Sequence, residues 1–239
     1  MENKISIFAG KHNKSAVEKG AEIIFTGCGL LAVLAVVSIT GYMIISGAPA
    51  LFQVGITDIL FGTVWKPASD PASFGILYVI LTSIVGTFLA ILIGVPIGLF
   101  TAIFLAEIAP AKVASVVRPA VELLAGIPSV VYGFFGVMVL VPWVAALADP
   151  FDGSGMSMFT ASLVLGIMIL PTIITVSKTS LDAVPGSYYE GSLALGATHE
   201  RSVFTIMLPA AKSGVLSAVI LGVGRAIGET MAVIMGAGN

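Results

Sequence analysis

Uninterrupted apolar runs constrain this chain more than any other feature. Residues 23–45, 74–106, 123–148 and 159–177 contain no Asp, Glu, Lys or Arg. About 20 such residues cross the hydrocarbon core of a bilayer as a helix, and in lipid only helices or closed barrels satisfy every backbone amide and carbonyl. Runs this long exceed a barrel strand of about 9 to 11 residues, so the expected fold is all-α, a polytopic transmembrane helix bundle. Only 10% of the 239 residues are charged, against about 25% in soluble domains, which excludes a water-soluble globular fold and a disordered chain. The 11 basic and 13 acidic residues are too few and too balanced to hold nucleic acid.

A fifth span is expected over residues 213–238, with two charges, Arg225 and Glu229, inside it. The first span, 23–45, is too long for a signal-peptide core of about 7 to 15 residues. It follows an amino-terminal tail, 1–22, and precedes a connection, 46–73, rich in Pro and Asp. Residues 107–122 read as a short polar linker, 149–157 as a tight polar turn and 178–212 as a long polar loop. Lys4, Lys11, Lys14, Lys19, Lys112, Arg118, Lys178, Arg201 and Lys212 fall on one side of such a bundle and only Lys66 on the other. Lys and Arg concentrate in cytoplasmic loops, so the amino terminus is expected in the cytoplasm. Pro96, Pro128, Pro142 and Pro171 are expected kinks, and the pairs Gly94/Gly98 and Gly224/Gly228 put small residues four apart for close helix contact.

Self-contained chemistry is hard to find in these residues. No phosphate-binding G-x-x-x-x-G-K-[ST] run is present. His12 and His199 lie far apart, His199 reading as an exposed loop residue, and the lone Cys28 adds nothing to a metal-ligand cluster. The sequence therefore implies no cofactor, no metal and no enzyme.

The loop 178–212 carries a specific pattern. Residues 189–198 read as a helix followed by a Gly turn, and Leu193, Leu195, Val203, Phe204 and Ile206 are apolar side chains exposed on the cytoplasmic side, which implies a covering partner or an interfacial helix. Glu190, Gly196, Ile206, Leu208 and Pro209 resemble the EAA loop of ABC importer permeases, E-A-A-x3-G-x9-I-x-L-P, with Gly191 and Ser192 in place of the two alanines. The resemblance implies a coupling helix that docks on a separate ATPase subunit.

Arg225 and Glu229, four apart, would share a helix face inside the membrane. An intramembrane charge is costly and marks pathways or a structural ion pair. The segments Arg118-Pro119-Ala120-Val121-Glu122-Leu123-Leu124-Ala125-Gly126-Ile127-Pro128-Ser129-Val130-Val131-Tyr132-Gly133 and Gly224-Arg225-Ala226-Ile227-Gly228-Glu229-Thr230-Met231-Ala232-Val233 resemble the phosphate ABC-importer permeases, with Met231-Ala232-Val233 and Gly238-Asn239 favouring the C-type subunit. That resemblance covers residues 74–239 and implies a type I ABC importer permease core lacking the final helix. It implies a heterodimer with a paralogous permease, an ATPase dimer, an external phosphate-binding protein, and a multi-pass place in a prokaryotic inner membrane. On residues alone, a secondary anion carrier or a permease for another oxyanion stays open, because a membrane Arg attracts any of them.

Overall fold

The computed structural model describes residues 16–148 and 155–237. His12, most of the tail 1–22, most of the turn 149–157 and the Gly238-Asn239 end lie outside the described residues. The chain forms two compact units, Met1–Leu77 and Tyr78–Asn239.

In the first unit, α1 (Ala16–Val54) is a 39-residue helix that runs nine residues past the expected end of the first span, through Pro49. Its apolar residues from Ile23 to Ile45 are exposed, as befits a lipid-facing helix. A single glycine, Gly55 at φ 92°, separates it from α2 (Ile56–Phe61). The antiparallel strands β1 (Trp65–Lys66) and β2 (Ser73–Phe74) close a small hairpin with Trp65 opposite Phe74.

The second unit is built around α7 (Met158–Asp182), whose apolar stretch is 61% buried. The corresponding figures are 33% for the span that begins with α3 (Leu77–Ile103) and 22% for the span made of α5 (Ser129–Phe135) and α6 (Val141–Ala148). Ser157 starts α7 by accepting from the Thr160 amide, and Thr160 Oγ1 donates to the Gly155 carbonyl at 2.6 Å. Helices in lipid associate by packing instead of by exclusion from water, and the glycines show where. A Cβ on Gly94 would lie 2.9 Å from the Gly166 carbonyl oxygen, and one on Gly98 would lie 2.8 Å from Ile173 Cγ2. The Gly94/Gly98 expectation therefore holds, α3 lying against α7.

Gly224/Gly228 does not behave that way. Nothing lies within 4 Å of a Cβ placed on Gly224, and Gly222 instead faces Ile173 at 3.0 Å. The small face of α11 (Lys212–Ile227) is Ala218, Gly222 and Ala226, spaced four apart and buried. The expected fifth span is also not one helix, because α11 stops at Ile227 and α12 (Met231–Ala237) begins after a break.

The polar linker before the third span is a 16-residue helix, α4 (Ala111–Gly126), whose Ala114 and Val121 pack with Leu105 and Ile174. Its exposed Lys112, Arg118 and Glu122 made it look like a loop. The third span starts at Ser129 and not at residue 123, since Ile127-Pro128 separates α4 from α5. Tyr132 Oη bridges that break, donating to the Leu124 carbonyl at 2.6 Å. Pro96 and Pro171 stay inside α3 and α7. Wide π-turns follow α3 at Phe104–Ile108 and join α5 to α6 at Gly136–Leu140, just before Pro142, whose missing amide such a turn accommodates.

Candidate functional site

Two places carry the residues that the sequence singled out. The first is the loop between α7 and α11, which is folded throughout. Helix α8 (Gly186–Ala194) starts on Pro185 and ends in paired reverse hydrogen bonds, the Ala197 amide to the Ser192 carbonyl at 3.1 Å and the Gly196 amide to the Leu193 carbonyl at 2.9 Å. This Schellman arrangement needs a left-handed residue after the helix. Gly196, at φ 84°, supplies it without a Cβ penalty. Two residues later Thr198 begins α9 (His199–Ser202), its Oγ1 accepting from the Arg201 amide. A π-turn at Val203–Met207 then leads into α10 (Leu208–Ala210).

Two side-chain ties hold α8 against α9. Ser192 Oγ donates to Ser202 Oγ at 2.7 Å, which passes its own proton to the Thr198 carbonyl, and both serines are buried. Tyr189 Oη and His199 Nδ1 lie 2.8 Å apart with their rings edge to face. His199 is therefore half-buried and engaged instead of an exposed loop residue. Neither tie was anticipated; the one signal was Ser192 standing where the EAA pattern has alanine. The Glu200 carboxyl is held below its ordinary range by its own backbone amide and then by the Thr198 hydroxyl.

The exposed apolar set is smaller than expected. Leu195, at the tip, is 91% exposed, and Leu193 and Phe204 are exposed as well. Val203 is 1% exposed because it turns inward to Ile103, Leu181 and Ala211, and Ile206 is half-buried. Glu190 and Pro209 face outward, and Leu208 packs at the edge of the same cluster as Val203.

The second place is the break between α11 and α12. Arg225, in the last turn of α11, is half-buried and donates from Nη1 to Thr172 Oγ1 on α7 through a long 3.4 Å hydrogen bond. Glu229 lies beyond the end of that helix. Its Oε1 accepts from the Ala232 amide at 3.2 Å, satisfying a donor in the first turn of α12. The two do not form the ion pair that a four-residue spacing implied, because the helix that would align them has already stopped at Gly228. Glu229 instead joins Thr82, Ser83 and Thr87 of α3 around a cavity of about 420 Å³.

Residues 94–239 match the family described as the binding-protein-dependent transport system inner membrane component. The chain belongs to this family. Among the relatives of this inner membrane component is the "Probable ABC transporter permease protein YqgH" of Bacillus subtilis, 39% identical over 98% of this chain and 75% of that protein. Another is the "Phosphate transport system permease protein PstC" of Pasteurella multocida, 38% identical over 73% of this chain and 59% of that protein. Among solved structures, an inward-facing form of the MetNI methionine ABC transporter is similar at a TM-score of 0.47 and 23% identity, covering 64% of this chain and 68% of that one. The family match, the permease relatives and the apolar helices make the inner membrane component an all-α, multi-pass transport permease subunit, in line with the expected fold class.

Proposed function

We propose that this subunit forms the translocation path of an ATP-driven importer of inorganic phosphate. It pairs with a paralogous permease, couples to a cytoplasmic ATPase dimer and receives phosphate from an extracytoplasmic binding protein. The observation that carries the reading is the loop 186–210, in which a largely exposed Leu195 sits at the tip of two short helices locked by Ser192–Ser202 and Tyr189–His199. A rigid polar frame bearing an apolar tip suits a protein partner better than solvent. Glu190, Gly196, Ile206, Leu208 and Pro209 are the residues of this coupling loop. The nine-to-one distribution of Lys and Arg favours placing it, and the amino terminus, on the cytoplasmic side of a prokaryotic inner membrane.

Phosphate as the substrate is supported by the names of PstC-type relatives and by Arg225. With Glu229 committed to the α12 amide and Thr172 the one hydrogen-bond partner of Arg225 among the described residues, the guanidinium has most of its donors left for an anion. A planar fork matches two phosphate oxygens at once. Glu229 acts beside it by fixing the helix that continues the path.

The test is uptake of labelled phosphate into vesicles holding the complete transporter. ATP-dependent, binding-protein-dependent accumulation is the expected result. Uptake that needs neither would point to a secondary carrier, and preference for sulfate or molybdate would move the permease to another oxyanion.

A further inference from the structure

On α7, Thr172, Thr175 and Thr179 recur at intervals of three and four, which puts them on one face of the helix. The first accepts from Arg225. The other two, with Lys178, form one wall of a separate cavity of about 190 Å³, and α4 supplies the opposite wall through Arg118 and Glu122. That volume is well above the roughly 15 Å³ that one water needs. Seven residues of helix separate Thr172 from Thr179, roughly 10 Å along the axis.

The donors here are unevenly committed. Lys178 is ion-paired with Asp182 one turn on. Arg118 forms no hydrogen bond or ion pair among the described residues, although Glu122 lies four residues further along the same helix. Thr179 Oγ1 donates back to the Thr175 carbonyl at 2.9 Å, the usual resting place for a threonine in a helix. The Thr175 hydroxyl has no such partner among the described residues.

We infer that this cavity is the inner exit site of the anion path. A tetrahedral oxyanion leaving Arg225 moves along the hydroxyls of Thr172 and Thr175, which donate to its oxygens, and pauses between Arg118 and Lys178 before release. Several weak sites in series serve passage better than one strong site, because an ion that binds too tightly does not leave. Glu122, the carboxylate among the lining residues, opposes the two cations and keeps the site weak. The inference rests on the phosphate-import reading and assigns that path its inner end.

Cys28 is the single cysteine, so Cys28→Ser provides a background for Thr175→Cys and Thr179→Cys in the complete transporter, with assembly checked by co-purification of the ATPase. In inside-out vesicles a membrane-impermeant methanethiosulfonate is expected to modify both thiols. Inorganic phosphate at about ten times its dissociation constant should slow modification about tenfold, and Arg118→Gln should abolish that protection. Absence of modification would place this face against lipid or protein and overturn the proposal. Protection that follows the phosphatidylglycerol content of the vesicles, and not added phosphate, would make the cavity a lipid-headgroup site and overturn it equally. Uptake that needs neither ATP nor the binding protein would bring down the import reading itself, whereas ATP-dependent phosphate uptake with unprotected cysteines would bring down only the exit site.

Discussion

Glu229 is bound to the backbone of Ala232 and not to the side chain of Arg225, its carboxylate oxygen 3.2 Å from the amide that opens α12. The acid is therefore a helix cap at a mid-span break, which gives Glu229→Gln and Glu229→Ala different outcomes. The amide side chain of Gln keeps an acceptor oxygen for Ala232, while Ala removes it and should cost about 1 kcal/mol, the usual worth of a cap. Thermal denaturation of the purified complex in detergent should show the Ala variant melting lower and the Gln variant near the parent. Equal melting of all three would mean that the contact does not hold α12.

Arg225 is expected to tolerate little. Arg225→Lys retains charge but loses the planar fork, and should transport poorly; Arg225→Ala should not transport. Phosphate uptake normalised to assembled complex measures this. Near-normal uptake by a well-assembled Ala variant would leave Arg225 as a packing residue on Thr172.

Gly196 has open space around a would-be Cβ, so a substitution there is penalised by backbone conformation alone, not by collision. An L-residue in the left-handed region costs about 1 to 2 kcal/mol, and Asn, which visits that region, should be milder than Val. Gly196→Val should insert into the membrane normally yet fail to retain the ATPase on co-purification. Full retention with unchanged uptake would argue against a coupling role for this turn.

Gly94 and Gly98 should separate in severity despite their shared face. The three atoms nearest a methyl on Gly98 are side-chain carbons of Ile173 and Leu170, which can shift, whereas the nearest to one on Gly94 include the backbone oxygen of Gly166. Overpacking of this kind costs about 1 to 3 kcal/mol, and Gly94→Ala should reach the upper part of that range. The yield of folded complex after mild heating should fall further for Gly94→Ala; the reverse order would mean that α7 yields more readily than its buried position implies.

Much of this was readable from the residues because membrane physics leaves few options. The charge-free runs marked the spans, and the glycine that ends α8 was visible because few residues besides glycine enter the left-handed region. What escaped has a common cause, the assumption of an unbroken α-helical period. Four-residue spacing aligns Arg225 with Glu229 only if the helix continues past Gly228, and it does not. Val203 was placed outside because it lies in the loop between two spans, whereas the turn that it opens faces it inward. Helix α4 was hidden by its exposed charges Lys112, Arg118 and Glu122, interspersed among the buried Ala114 and Val121. The Ser192–Ser202 and Tyr189–His199 ties join residues ten apart, a separation to which no local pattern points.

The π-turn at Val203–Met207 gives the motif's spacing a physical meaning. Nine residues, 197–205, stand between Gly196 and Ile206, and that count includes the additional residue that an i→i+5 turn holds over an ordinary one. Deleting any one residue within the turn would return it to α-helical winding and swing Leu208 and Pro209 by about 100° around the axis, taking Leu208 off its seat beside Val203. The interval is thus a mechanical dimension, and insertions or deletions inside it should be far less tolerated than substitutions at its exposed positions.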